Sequence, residues 1–403
     1  MADETAGKIR IGFSALEGSG SANQAKILVD YVTLLCDEVD RGGLEAALAE
    51  AAEAYGDGSG IGAAELKAVM EKAQAVADDD GVSVTDILAC TRDLTEATEA
   101  YWRQNASAEH PLDVTSYIVN PSFEDGTTGW ENDGLFTQTN SVFPGKAGNT
   151  YVERWVNIGS QIPDVAISQT LSQVPNGKYR LGAAVGNIQQ TGANSTVNAG
   201  EKQTGVVLYA GFYETPVDTM KRQKDLNFTV VDGQVTIGLR AENATGNWLC
   251  LDNFVLYYLG ENTAEDYAAY LQRYSEVVRA ELQERPVQAS VRQVAEDALE
   301  NADGAIGGEP LDMTALQEAK AALDEAVAAV EASAALYASL AGAMDYAVQV
   351  AGWYADDEAK HAKMQEALQA AQAAMDNAGL TDEDIQAAEA DLRTVTSEVD
   401  KKI

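Results

Sequence analysis

Apolar residues along this chain follow two different rhythms. In the N-terminal quarter they recur at steps of three and four: Ile27, Tyr31, Leu34, Leu35 and Val39, then Leu44 and Leu48, then Leu66, Met70 and Val76, then Ile87, Leu94 and Tyr101. That spacing lays a single apolar stripe along a helix. Gly56–Gly62 interrupts the pattern, and Ser83 with Asp86 three residues on reads as a capping box. The expectation over 23–107 is a three-helix bundle. Residues 1–22, with a brief strand signal at Ile9–Phe13, fit no element.

After a short linker, Ala106–Leu112, the rhythm changes to period two and the residues become β-branched and aromatic. Strands are expected near Ser116–Val119, Gly134–Thr137, Tyr151–Val156, Ile167–Ser172, Lys178–Val185, Gly205–Tyr213, Leu226–Val231, Gln234–Ala241 and Trp248–Leu259. Val231-Asp232-Gly233-Gln234 suits a tight hairpin, and Pro175-Asn176-Gly177-Lys178 a turn. Many short strands with no helix among them predict a β-sandwich or jelly roll over 113–260.

From Thr263 the helical rhythm returns in two units. One has helices near 263–284, 287–303 and 314–333, with Pro286 opening the second and Thr314 with Gln317 capping the third. The other has helices near 335–354, 357–378 and 382–401, the last opened by Thr381 and Asp384. Leu316, Leu323, Val327 and Val330 in the first correspond to Ile385, Leu392, Val395 and Val399 in the second. Three-helix bundles are expected over 261–333 and 334–403. The fold class is therefore multidomain, all-β plus all-α, with a jelly-roll sandwich flanked by three-helix bundles.

Composition agrees with that division. Six of seven Phe and three of five Trp fall in the β segment, while Ala and Glu dominate outside it. The net charge of −37 excludes nucleic acid and an anionic membrane as partners. Only −5 of that charge lies in 113–260, so most of it belongs to solvated helix faces. No run of 18 apolar residues is present, and a transmembrane segment is not expected. The opening Met1-Ala2-Asp3-Glu4 does not look like a leader, as in a secreted protein whose leader has been removed. Cys36, Cys90 and Cys250 are expected to be buried free thiols.

Two segments bracket the β region: Asn120-Pro121-Ser122-Phe123-Glu124 with Gly129-Trp130, and Trp248–Tyr257 containing Asp252-Asn253-Phe254. Asp252 stands in an apolar strand, where a buried carboxylate needs a cation, an arginine or several N–H donors. First and last strands of a sandwich commonly lie together, which would bring Glu124 and Asp252 within reach of one hard cation.

These residues carry a resemblance. The middle segment resembles the jelly-roll carbohydrate-binding modules of the galactose-binding-like superfamily. It does so through Val119–Glu124 with Gly129-Trp130, through Asp252-Asn253-Phe254 with Tyr257, and through Asn176-Gly177-Lys178-Tyr179-Arg180-Leu181. The helical units resemble FIVAR-type three-helix repeats at Leu380-Thr381-Asp382-Glu383-Asp384-Ile385, followed by Ala388 and Leu392. The combination is similar to secreted or surface proteins of gut Bacteroidetes that handle glycans. The resemblance implies a structural calcium at Glu124 and Asp252, with carbonyls such as those of Lys146–Thr150 completing the shell. It also implies an extracellular or cell-surface location and a polysaccharide or glycan partner.

Sugars are held by aromatic faces, with amides, carboxylates and arginine on the hydroxyls. The candidates are Trp130, Trp155 and Tyr213 as platforms, with Arg154, Asn187 and Gln189 as polar contacts; Trp248 is a further aromatic. Core packing is the competing role for each ring. Enzymatic motifs are missing: His110 and His361 have no partner motif, and no nucleophile elbow, P-loop, zinc spacing or Rossmann fingerprint occurs. Gly56–Gly60 and Asp78–Gly81 lack the later acid of a calcium loop. The sequence thus points to a non-catalytic glycan-binding protein with helical spacers. The alternative is a structural or adhesin module that binds other surface proteins and no sugar.

Overall fold

The computed structural model describes residues 40–400. The helical pattern expected over 23–39, the Ile9–Phe13 signal and Cys36 lie outside them. The chain forms two compact units, one made of the residues up to Ser59 together with Ala63–Thr98, the other of Gly60–Gly62 and Glu99 onward. In the first, α1 (Gly42–Tyr55), α2 (Ala63–Ala77) and the start of α3 (Val84–Asn105) bury Leu44, Ala47, Ala51, Leu66, Ala73, Ile87, Cys90 and Leu94. Asp86 N–H donates to the Ser83 hydroxyl (3.2 Å), and that hydroxyl donates to the Asp86 carboxylate (2.6 Å). Arg41 donates to the carbonyls of Ala77 (3.2 Å) and Asp79 (2.6 Å) and so satisfies acceptors at the end of α2.

The second unit contains the sandwich. Its strands are β1 (Leu112–Asp113), β2 (Glu131–Asp133), β3 (Phe136–Gln138), β4 (Tyr151–Trp155), β5 (Val165–Ser172), β6 (Gly177–Ile188), β7 (Val206–Ala210), β8 (Tyr213–Pro216), β9 (Lys221–Val230), β10 (Gln234–Ala241) and β11 (Trp248–Tyr258). One antiparallel sheet runs β3-β4-β11-β6-β9, with β1 added beside β11; the other runs β2-β5-β10-β7-β8. Alternate residues meet between the sheets, among them Ile167, Leu181, Val185, Leu208, Leu239, Leu249 and Leu251, all essentially inaccessible.

Two expected strands differ. Ser116–Val119 is a 3-10 turn at Thr115–Tyr117, because the Asp113 carboxylate captures the Thr115 N–H (2.9 Å) and closes an Asx turn. The segment expected as Gly205–Tyr213 folds back after Ala210, where Gly211 at φ 58° turns β7 into β8.

The helices that follow are α4 (Ala264–Glu284), α5 (Ala289–Ile306), α6 (Met313–Trp353), α7 (Glu358–Met375) and α8 (Asp382–Val399). Capping boxes open α4 at Thr263/Asp266 and α8 at Thr381/Asp384. The cap of α6 is Asp312, which accepts from Thr314 N–H (2.9 Å), in place of the expected Thr314.

The larger difference lies inside α6. Separate helices were expected before and after residue 334, yet a single 41-residue helix crosses that point. Nothing in Glu331-Ala332-Ser333-Ala334 stops a helix, and Ser333 turns its hydroxyl to the N–H of Gln288 (3.0 Å). The first half of α6 packs Leu316, Leu323 and Val330 with α4 and α5, and the second half packs Tyr337, Leu340 and Val350 with α7 and α8. α6 is also the one described helix long and apolar enough to cross a membrane, with a window of mean hydropathy 1.4. Much of that apolarity is alanine, and most of its larger residues serve these two cores, while Val348 and Trp353 are exposed.

The sandwich and the first helical core interlock. Val231, at the β9–β10 hairpin, is buried in the core of α4–α6. Next to it Asp232 pairs with Lys320 of α6 (2.8 Å), which also holds Asp324 (2.6 Å). Phe212 stands 5.1 Å from Tyr270 and 5.9 Å from Tyr274, ring centre to ring centre.

Candidate functional site

The two bracketing segments meet. Phe254 N–H donates to the Pro121 carbonyl (2.9 Å), and Phe254 packs against Trp130 at 4.7 Å and Phe123 at 6.2 Å. This aromatic knot corrects the reading of Trp130 as a sugar platform. Its ring belongs to the sandwich core, and its indole N–H donates to the Asn120 carbonyl (3.2 Å).

The carboxylates beside the knot share one loop. Asn149 and Thr150 N–H groups donate to Glu124 (2.8 and 2.9 Å), and Ala147 N–H donates to Asp252 (2.6 Å). The other Asp252 oxygen accepts from Asn253 N–H (2.7 Å). Thr150 N–H, with Asn149 and the Lys146 charge, holds the Glu124 carboxyl below its ordinary range. Asp252 is fully buried, and burial pushes its pKa up to about 7 against the pull of the two N–H donors; the Glu124 charge adds to the push.

These residues fit a hard cation in donor type. Two carboxylates repel each other across a common loop, and one is buried with only two N–H partners. Lys146 Nζ is drawn to the same loop, donating to the carbonyls of Thr139 and Asn149 (both 3.1 Å). Among the described residues no group of three or more His, Cys, Asp or Glu side chains is assembled for a metal. Backbone carbonyls would therefore have to supply most of the six to eight oxygens calcium takes.

The other end of the sandwich carries a different constellation. Trp155, last in β4, is 48% exposed, and its indole N–H donates to Gln190 (2.8 Å). Gln190 is itself buried; it receives Asn247 Nδ2–H at 3.2 Å and donates to the Ser195 carbonyl (3.0 Å). On the same face of β4, Glu153 accepts from Trp248 (2.7 Å), Tyr151 (3.0 Å) and Gln138 (3.1 Å). Ile158 and Val197, on the loops after β4 and β6, are exposed.

The remaining predicted contacts separate. Asn187 is fully buried and donates to the carbonyls of Thr204 (3.3 Å) and Val217 (3.1 Å), so it braces the rim and offers nothing to a ligand. Gln189 stays on the rim, its N–H donating to Asn198 Oδ1 (2.8 Å). Strand alternation turns Arg154 away from Trp155; it donates to the Gly134 carbonyl (3.2 Å) and lies 4.9 Å from the Phe136 ring. Tyr213 is on β8, packed on Phe212 at 4.8 Å and beneath Arg273 at 5.0 Å. Trp248 is 2% exposed and belongs to a small cluster with Phe143, Tyr151, Ile188 and Cys250. Sequence reasoning missed Glu153 and Gln190. Period two along β4 already sets Glu153 beside Trp155, whereas Gln190 has no local signal.

Cys90 and Cys250 are buried free thiols whose pKa values burial pushes up. His361 sets Nδ1 3.2 Å from the Ala351 carbonyl, and His110 is exposed in the linker.

No family model and no curated protein matches the chain. Among solved structures it is similar to TmCBM61 in complex with beta-1,4-galactotriose, at 19% identity over 35% of this chain and 97% of that one, TM-score 0.27. It is similar to a cyclase from Fischerella sp. TAU at 16% identity, over 38% of this chain and 100% of that one, TM-score 0.28. A family 35 carbohydrate binding module from Clostridium thermocellum matches at 13% identity, over 36% of this chain and 96% of that one, TM-score 0.22. A saccharide-bound protein and a cyclase stand together in that set, so function has to be argued from the site.

Proposed function

We propose that this chain is a non-catalytic glycan-binding protein whose saccharide sits on the rim around Trp155. The carrying observation is a half-exposed indole fixed by a buried amide. Such a ring offers a flat apolar face to a pyranose without losing rotamer freedom on binding. Glu153, on the same strand face, supplies an acceptor for sugar hydroxyls, and Gln189 an amide. Glu124 and Asp252 would hold a structural calcium that clasps the turn before β2 to β11, supplying charge compensation and no chemistry. With a polysaccharide partner the protein would act outside the cell or on its surface. A glycan array followed by calorimetric titration tests the binding. Saccharide binding that Trp155→Ala removes is the expected result. Binding to no glycan, or undiminished binding by the variant, overturns it.

A further inference from the structure

A second cleft lies between edge strand β9 and helix α4, at the opposite end of β6 from the Trp155 rim. Its volume is about 490 Å³, within the range of small-molecule sites. Lys178, Asn227 and Thr229 line the sandwich side, and Arg273, Gln272 and Glu276 the helix side. Tyr213 forms part of the wall, backed by Phe212 at 4.8 Å.

The charges in this cleft are unequal in their commitments. Lys178 is paired with Asp266 at 3.0 Å. Arg273 makes no ion pair or hydrogen bond among the described residues; its guanidinium lies over the Tyr213 ring at 5.0 Å. A guanidinium stacked on an aromatic keeps its planar fork of N–H donors available, and that fork matches a carboxylate. Around it the Asn227 and Gln272 amides and the Glu276 carboxylate are suited to hydroxyl groups. The combination is one carboxylate receptor in a ring of hydroxyl partners.

We propose that this cleft binds the carboxylate of a uronic acid residue, with Arg273 as the anion-binding group and Asn227 and Gln272 addressing the ring hydroxyls. The site differs from the Trp155 rim and needs both the sandwich and α4, which gives the α4–α6 bundle a binding role beyond spacing. It does not depend on the rim's binding a sugar.

Saturation-transfer NMR on the full chain, with D-galacturonate and D-glucuronate as probes and D-galactose as the neutral control, tests the inference. A uronate signal at least tenfold stronger than that of galactose is expected. Raising salt from 20 to 300 mM, roughly a fourfold shortening of the screening length, should weaken it. Arg273→Gln, an exposed substitution, should lower uronate affinity at least tenfold, and Asn227→Ala should lower it by a smaller factor. Trp155→Ala should leave it unchanged. Equal signals from uronate and galactose in Trp155→Ala, where the rim does not contribute, no uronate binding, or full binding by Arg273→Gln would each overturn the proposal. Loss of uronate binding in Trp155→Ala alone would assign the ligand to the rim and overturn it as well.

Discussion

Lys320 is the buried member of a three-charge group, and that asymmetry sets the cost of breaking it. Its side chain is 5% exposed, whereas those of Asp232 and Asp324 are 48% and 45% exposed. Burial works against the ammonium, but the two carboxylates outweigh it, so its pKa lies above the ordinary lysine value. Lys320→Met removes the ammonium and leaves two carboxylates that water reaches. The loss is then two charge-assisted hydrogen bonds, partly offset by apolar packing, about 1–3 kcal/mol. Asp232→Asn combined with Asp324→Asn leaves an ammonium buried without a counter-charge, for about 3–5 kcal/mol. Urea unfolding followed by far-UV circular dichroism gives both midpoints, with the slopes compared to confirm that the same surface is exposed. The double aspartate variant should be the less stable by at least 1 kcal/mol. If Lys320→Met costs as much or more, the argument from the burial of the cation fails.

Asp252 gives a pH prediction. Its native pKa of about 7 exceeds the unfolded value near 3.9, so in chelated protein its contribution is complete below about pH 4. That contribution is lost as pH rises through 7, on the order of 4 kcal/mol, and Asp252→Asn should flatten the slope; an unchanged slope counts against it. Added calcium should raise the melting temperature at pH 8, and identical melts with calcium and with chelator would dismiss the ion. Trp130→Ala should cost about 3–5 kcal/mol by thermal or urea melting, while Trp155→Ala should change stability by under about 1 kcal/mol. Equal costs would contradict their assignment to core and rim. Ala334→Pro should cost about 3 kcal/mol or more, read as a lowered midpoint and lost helicity, because α6 is continuous there. A tolerated proline would mean that α6 is two helices.

Periodicity made most elements legible, and its failures have local causes. Gln234–Ala241 alternates cleanly and ends at turn residues, so its limits follow from the sequence. Thr115–Tyr117 does not, because the hydrogen bond that the Thr115 N–H donates to the Asp113 side chain outweighs β propensity there. The helix break expected near residue 334 does not occur, because the helical rhythm runs on unbroken there and one helix serves both cores. The convergence of Glu124 and Asp252 was foreseeable from strand order, whereas the roles of Trp130 and Trp155 were not. Both are tryptophans beside polar residues; one meets Phe254 and the other meets solvent, a difference fixed by partners far along the chain.

Strand directions give the rim its orientation. β6 starts at Gly177, close to where the chain leaves the sandwich for α4, and ends at Ile188 beside the Trp155 loops. β11 runs back from Trp248, paired with Trp155, to Tyr258. The rim therefore stands about 35 Å from the junction with the bundle, at the rise of an antiparallel strand. The junction itself is held by Val231, by the Lys320 group and by the rings around Phe212. Beyond it α6 carries the chain about 60 Å through both helical cores. A flexible spacer would let the rim turn freely on its support. An interlocked junction and an uninterrupted helix fix its direction instead, so that Trp155 is presented away from the helical end.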